Sequence, residues 1–291
     1  MSGRASPPGS GLAWAVHVLG KATQVNDQGL GGYASLASQG PIEPALGHAF
    51  LTLVEPHNGH DAAYTRWYED DHFHAAGMSF PWWFAGRRWV ATRALRQLRD
   101  SSLASADLDR GWSFATYWIT RGRLREQALW LESTVSRLLA DGRMFAERTH
   151  VMTGFFDHVT EWQAPGHQPR AVHALEYPYA GVVLEVVDPG HKGGRWLKEN
   201  YVKPRLARGE AAQCLAFRPV PWPGQVEPPW QSAPPDRTVL LWFVESRPAD
   251  FWEGSFGTHR AAVEAAGGMV DFVGGFVPTL PGTDVYLDQL R

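Results

Sequence analysis

The sequence predicts an α+β protein in which one strand-helix-strand-strand-helix-strand unit occurs twice. Three observations carry this. Across residues 46–159, apolar runs of β character alternate with stretches of three- and four-residue periodicity in the order β, α, β, β, α, β. An apolar strand closed by an acid and a proline, Glu55-Pro56, recurs as Asp188-Pro189. An Arg-Trp pair stands in the helix that follows each, as Arg66-Trp67 and Arg195-Trp196.

The elements follow in order. Residues 48–54 (HAFLTLV) are β-rich, and Pro56 ends their ladder. After a polar loop with Asn58-Gly59, residues 62–73 place Tyr64, Trp67, Tyr68 and His72 on one helical face. Residues 84–92 read as a second strand. Residues 112–120 read as a third, because Trp112, Phe114, Thr116, Trp118 and Thr120 alternate with Ser113, Ala115, Tyr117 and Ile119. Leu124, Ala128, Leu131, Val135 and Leu138 recur at helical spacing, and residues 148–159 return to β character. The second copy runs through strands at 180–187, 213–220 and 238–245, with a Pro-rich excursion over 221–235, then a helix at 251–266 and a closing strand at 268–277. This order is the split βαβ, ferredoxin-like unit. The expected division is a loosely ordered leader over 1–44, rich in Gly, Ser, Ala and Pro, a first unit over 45–165 and a second over 166–291.

One such unit leaves a face of its sheet apolar and uncovered, which water does not tolerate over so large an area. A second copy laid sheet to sheet covers it, so the chain is expected to supply its own partner and to enclose a ligand pocket between the halves. Composition narrows the rest. With 27 Lys and Arg against 30 Asp and Glu, the net charge is -3 and no basic run tracks a phosphate backbone, so nucleic acid is not an expected partner. The single cysteine, Cys214, excludes an intrachain disulfide framework and a Cys-rich metal site. No stretch has the length of apolar chain that a membrane helix needs, and no signal pattern opens the sequence, which predicts a soluble, cytoplasmic protein. The 14 tryptophans suit a filled core or a pocket for a bulky apolar ligand.

The stretch Trp67-Tyr68-Glu69-Asp70-Asp71-His72-Phe73, ahead of Phe84-Ala85-Gly86-Arg87-Arg88-Trp89, resembles the dimeric α+β barrel superfamily, and EthD-like proteins within it. Such proteins carry an aromatic-x-x-x-His pattern on the first helix, which falls here on Tyr68 and His72. The segment Gly282-Thr283-Asp284-Val285-Tyr286 resembles their tail strand. The resemblance implies the fold. For function it implies a range: cofactor-free cyclases, monooxygenases, isomerases, dehydratases and haem enzymes. In the second half, Leu197 and Tyr201 stand opposite Tyr68 and His72, so a site built on His72 is expected once per chain.

His72 beside Tyr68 reads as a general acid/base pair, since an imidazole exchanges protons near neutral pH; the bland alternative is amphipathic packing. One of Arg87 and Arg88 must face inward and needs an anion, either a structural carboxylate or a substrate; Arg88 is the favoured candidate. Tyr117 can offer a hydroxyl, and His150 and His158, evenly spaced, are expected on one face. Trp67, Trp83 and Trp118 are expected to wall the pocket. His57, His60, His72 and His74 crowd near Asp61, Asp70 and Asp71, but His72 and His74 lie about 200° apart on a helix and HExxH is absent, so no metal is assigned. Gly-rich phosphate loops and a nucleophile elbow are absent too. The expected function is a cofactor-independent lyase or dehydratase, isomerase or cyclase. It would act by proton transfer on a bulky apolar cyclic or aromatic small molecule in the inter-sheet pocket. His72, Tyr68, Arg88 and Tyr117 would be catalytic. The alternatives are a non-catalytic binder of hydrophobic small molecules and a haem enzyme of the same superfamily. The chain is expected to be a pseudo-dimer, with further homodimerisation open.

Overall fold

The computed structural model describes residues 43–102, 107–226 and 232–291. The expected leader therefore lies, but for its last two residues, outside the described residues. The first unit comprises β1 (Leu46–Pro56), α1 (Asp61–Trp67), β2 (Trp83–Val90), β4 (Ser113–Thr120), α3 (Leu124–Ala140) and β5 (Arg148–Gln163). Between β2 and β4 stand a short helix α2 (Arg93–Gln97) and the two-residue β3 (Asp100–Ser101). The second unit comprises β6 (Gly181–Asp188), α4 (Gly193–Trp196), α5 (Lys203–Ala207), β7 (Gln213–Pro219), β8 (Thr238–Val244), α6 (His259–Glu264) and β9 (Met269–Pro278). No helix among the described residues is long and apolar enough to cross a membrane.

The strand order states the duplication. The antiparallel sheet runs β2-β4-β1-β5-β7-β8-β6-β9, and β9 pairs back onto β2, so eight strands form a ring, with β3 attached outside it to β9. Within each unit the fourth strand lies beside the first, the first beside the third, and the third beside the second. The two seams join the fourth strand of each unit to the second strand of the other. One seam, β5 to β7, has seven paired positions from Phe156↔Pro219 to Gln163↔Gln213; the other, β2 to β9, has two, Trp89↔Pro278 and Val90↔Val277. This is the two-unit α+β barrel predicted, with the sheets also joined edge to edge. Ring closure removes the unpaired strand edges that two separate sheets would keep.

Alternation along the strands gives the sheet two faces. The inward face fills the barrel: Trp118 packs against Phe217, Trp89 edge-on against Phe243 and Phe114 against Phe276, and all six are fully buried. Trp89 Nε1 donates to Thr116 Oγ1 at 3.1 Å and Trp118 Nε1 to Ala171 O at 3.0 Å, so the indoles are satisfied where they lie. Trp89 and Trp118 thus pack the space between the sheets, whereas Trp67, Trp83, Trp112 and Trp242 lie on the outer, helix-covered faces. The outward face of the first sheet carries α1 and α3.

Three expectations are corrected by this geometry. Residues 282–286 form turns, not a strand; Gly282 N instead donates to Glu69 Oε2 at 2.9 Å. The helix expected over 251–266 is confined to His259–Glu264 after a 3-10 turn at Phe256–Thr258. His150 and His158 do not share a face, because a bulge interrupts β5 between the partners of Leu53 and Val54, and a second irregularity follows between His158 and Thr160. His158 lies against Phe217 on the barrel side, while His150 lies under the helices.

Candidate functional site

Beyond Trp67 the first helix changes its winding. Tyr68–His72 and His74–Met78 are π-helical, with i to i+5 hydrogen bonding. In an α-helix Trp67 and His72 would diverge; the wider turn stacks them, with ring centroids 4.2 Å apart and planes 23° off parallel. Tyr68 meets the same imidazole edge-on at 5.4 Å. The same device recurs in the second unit, where Trp196 and Tyr201 stack at 5.5 Å across the π-helix Leu197–Val202.

His72 and Tyr68 border a cavity of about 60 Å³ between the first sheet and its own helices. The pocket expected between the two sheets is thus found on the opposite face of the first sheet. Phe50, Thr52 and Val54 of β1 form its floor, and Trp67, Trp83 and Tyr117 wall it. Trp118 does not, since it points into the barrel. Two glycines let the Tyr117 ring lie where it does: a Cβ on Gly77 or Gly86 would come within 2.9 Å or 2.8 Å of that ring. Trp83 stacks on Tyr117 at 4.2 Å. The hydroxyls of Tyr117 and Tyr68 share a hydrogen bond of 2.7 Å. Burial raises both phenols well above their ordinary value, so both are neutral hydroxyls at neutral pH.

Arg88 is on the same face but outside this cavity's lining. Its Nη1 donates to Glu69 Oε1 at 2.8 Å, with both side chains buried, and Nη2 reaches Thr65 Oγ1 at 3.3 Å. The anion that a buried Arg88 requires is thus a carboxylate of the protein. Arg87 turns to the other face and donates to Tyr177 O at 2.6 Å. Asp71 pairs with Arg143 and does not touch His72 in any hydrogen bond.

Two functional groups escaped the sequence reading in whole or part. Arg148, at the start of β5, is 7% exposed and lines the cavity. Its Nε donates to His150 Nε2 at 3.3 Å, its guanidinium lies 4.9 Å from the Trp67 ring, and Nη1 is buried without a hydrogen-bond partner. His150 Nδ1 contacts Thr153 Oγ1 at 2.8 Å; because Nε2 accepts from Arg148, the ring proton sits on Nδ1. His72 Nδ1 and Trp83 Nε1 are also buried without partners. Burial first, and the Arg148 charge second, hold the His72 imidazole well below its ordinary pKa; the same two causes, then His72 itself, act on His150. Both imidazoles are neutral at neutral pH. The only sequence signal for Arg148 was a charge at the start of a β-rich run, and the bulge after His150 could not be read from spacing.

No group of three or more His, Cys, Asp or Glu side chains placed to hold a metal occurs among the described residues. Haem, which the superfamily resemblance brings into question, does not fit this cavity: 60 Å³ admits a few water-sized groups, and one face of His72 is covered by Trp67.

No family model matches the chain, and no curated protein matches it. Among solved structures it is similar to a chlorite dismutase-like protein at 11% identity, covering 84% of this chain and 100% of that one, with a TM-score of 0.46. It is similar to an anthrone oxidase-like protein at 9% identity, covering 83% and 96%, with a TM-score of 0.45. A monooxygenase-like protein from Lactobacillus acidophilus NCFM aligns at 9% identity over 80% and 94%, with a TM-score of 0.38. The barrel architecture follows from the chain's own strand order.

Proposed function

We propose that the protein is a cofactor-independent acid/base enzyme of the dehydratase, isomerase or cyclase kind, with His72 moving a proton on a cyclic or aromatic small molecule. The carrying observation is the neutral His72 imidazole, which presents a buried, unpartnered Nδ1 at a cavity walled by aromatic rings. A neutral imidazole in that setting can accept a proton and return it. Tyr68 and Tyr117 supply one shared pair of hydroxyls, of which one proton is free to turn toward a ligand oxygen. Trp67 and Trp83 flank a planar ligand. Arg88, held by Glu69, leaves Arg148 as the positive charge facing the cavity.

The cavity volume is well below the hundreds of Å³ of ordinary ligand sites, so a ring-sized substrate enters only when the wall moves. The wall at Trp67 and Met144, the latter in the connection between α3 and β5, would supply the entrance. An EthD-like assignment rests on the Tyr68-to-His72 spacing alone and adds nothing to this chemistry.

The test is hydrogen-deuterium exchange at carbon. A panel of cyclic and aromatic ketones and hydroxy compounds is incubated with the protein in deuterium oxide and followed by NMR. At least one compound should exchange a C–H, and His72→Asn should slow that exchange by roughly a hundredfold or more. A panel member that binds, with no exchange and with the same affinity for His72→Asn, would overturn the reading in favour of a simple binder.

A further inference from the structure

Arg148 brings a positive charge into the same cavity with no carboxylate in contact with it. Among the described residues no carboxylate forms an ion pair with it, the adjacent Glu147 acting only through space; its contacts are the neutral His150 ring and the face of Trp67. An isolated buried charge is among the most costly arrangements a fold can hold, and folds ordinarily pair it. Both Arg148 and His72 lie against the Trp67 ring, and His72 Nδ1 is a second buried polar atom of the lining without a partner.

The second unit shows what the same architecture looks like when its charge is balanced. The registers Phe50↔Tyr117 and Val183↔Trp242 put Trp242 where the first unit has Tyr117, and the acid-Pro turns put Glu185 where it has Thr52. Both outer pairings carry the bulge at the same place, after Leu53 in one and after Val186 in the other, which sets Val270 opposite His150. There the buried charge is Glu185. It accepts from Tyr201 at 2.5 Å and from Trp242 at 2.8 Å, and it meets His259 Nδ1 at 3.2 Å. The second unit closes its charge with its own side chains; the first leaves Arg148 open.

We infer that the first-unit cavity is a carboxylate-recognition site, in which the unpartnered Arg148 Nη1 holds a carboxylate of the substrate beside His72. This rests on the reading of the cavity as the substrate site and narrows its substrates to small organic acids. The charge is complementary, the guanidinium that would contact the ligand is a fixed donor, and His72 and His150 add no competing positive charge when neutral. Arg148 is a binding residue in this assignment, and His150, which accepts from Arg148 Nε and is anchored by Thr153, is its positioning residue.

The test uses the full chain at constant ionic strength. Sodium formate, acetate and benzoate are titrated calorimetrically and by thermal shift against formamide, acetamide and benzamide. At least one carboxylate should bind saturably and raise the melting temperature while its amide does not, and Arg148→Gln should weaken that binding at least tenfold. Without ligand, Arg148→Gln should melt at the same temperature or higher, since it removes a buried charge with no ion-pair partner; a large fall would overturn the inference by showing that the charge is compensated within the protein. Carboxylates that bind no better than their amides, or equally well to Arg148→Gln, overturn the inference. Thr153→Val should weaken carboxylate binding less than Arg148→Gln does, and equal loss in both would point to collapse of the cavity. The failure is separable from that of the acid/base reading. Carbon exchange that depends on His72 in neutral compounds, without carboxylate preference, sinks only this inference, whereas carboxylate binding without any exchange sinks only the other.

Discussion

The indole of Trp67 lies on the imidazole of His72 at 4.2 Å because a π-helical turn, five residues per hydrogen-bonded step, brings them into register. The stack screens one face of the imidazole and directs its edge to the cavity. π-turns are uncommon and concentrate where a side chain must be re-aimed. The second unit keeps the turn and the tryptophan but places Tyr201 at the equivalent position, with its hydroxyl committed to Glu185.

Acid should weaken the fold through this site. In the native state burial and then Arg148 depress the His72 pKa, and His150 follows for the same reasons. Below about pH 6.5 the unfolded chain takes up protons that the folded chain refuses, so stability rises with pH up to that value and is flat above it as far as these groups are concerned. Each histidine should remove up to about 1.4 kcal/mol per pH unit between about pH 6.5 and its lowered folded-state pKa, and no more below that. Urea denaturation at pH 7.5 and pH 5 measures this, and the variant carrying both His72→Asn and His150→Asn should show a flatter dependence than the parent.

Access to the cavity should depend on a surface latch. Trp67 Nε1 donates to Arg143 O at 2.7 Å, and the Arg143 side chain pairs with Asp71, tying the α3–β5 connection to the first helix. Arg143→Ala should leave the melting temperature nearly unchanged, because an exposed ion pair contributes little. It should speed carbethoxylation of His72 by diethyl pyrocarbonate, read by peptide mass spectrometry. An unchanged rate would place the entrance elsewhere.

Arg88 and Glu69 should behave as structure. Glu69 accepts from Arg88 and Arg66 and from the Gly282 amide, so Glu69→Ala leaves three donors without it, one a buried guanidinium. A loss of about 3–5 kcal/mol is expected by chemical denaturation. The double variant Glu69→Leu with Arg88→Met should recover part of that loss. Arg88→Met alone is expected to cost stability while leaving carboxylate binding at Arg148 intact.

The two seams of the barrel should open in order. Two paired positions join β2 to β9, against seven joining β5 to β7. Segments with fewer shared backbone bonds exchange by smaller openings. Native-state hydrogen exchange should therefore find residues 88–91 and 276–279 less protected than residues 156–163 and 213–219. Equal protection would mean that the ring opens only by global unfolding.

Element order was legible in the sequence, since the periods that define strand and helix are local. The matching acid-Pro turns and Arg-Trp pairs were enough to show the duplication, and the Tyr68–His72 spacing was enough to put two polar aromatics on one helix face. Arg88 was legible as a buried charge that needs an anion, because alternation in β2 demands it. Its partner Glu69 was not: a carboxylate on the first helix, nineteen positions away, meets it only after the helix folds onto the sheet.

What the sequence by itself determined is the list of elements, their repetition and a surplus of flat side chains for the core. Only the tertiary structure decided which face of the first sheet holds the cavity, that Trp118 looks away from it, and that Arg148 with His150 belongs to it. The physical reason is parity. A strand shows alternate residues to opposite faces, so one bulged residue, Val151 in β5, reverses the assignment of every side chain on one side of it. A bulge and a π-turn each add a single residue to a period, and neither leaves a mark in composition or spacing.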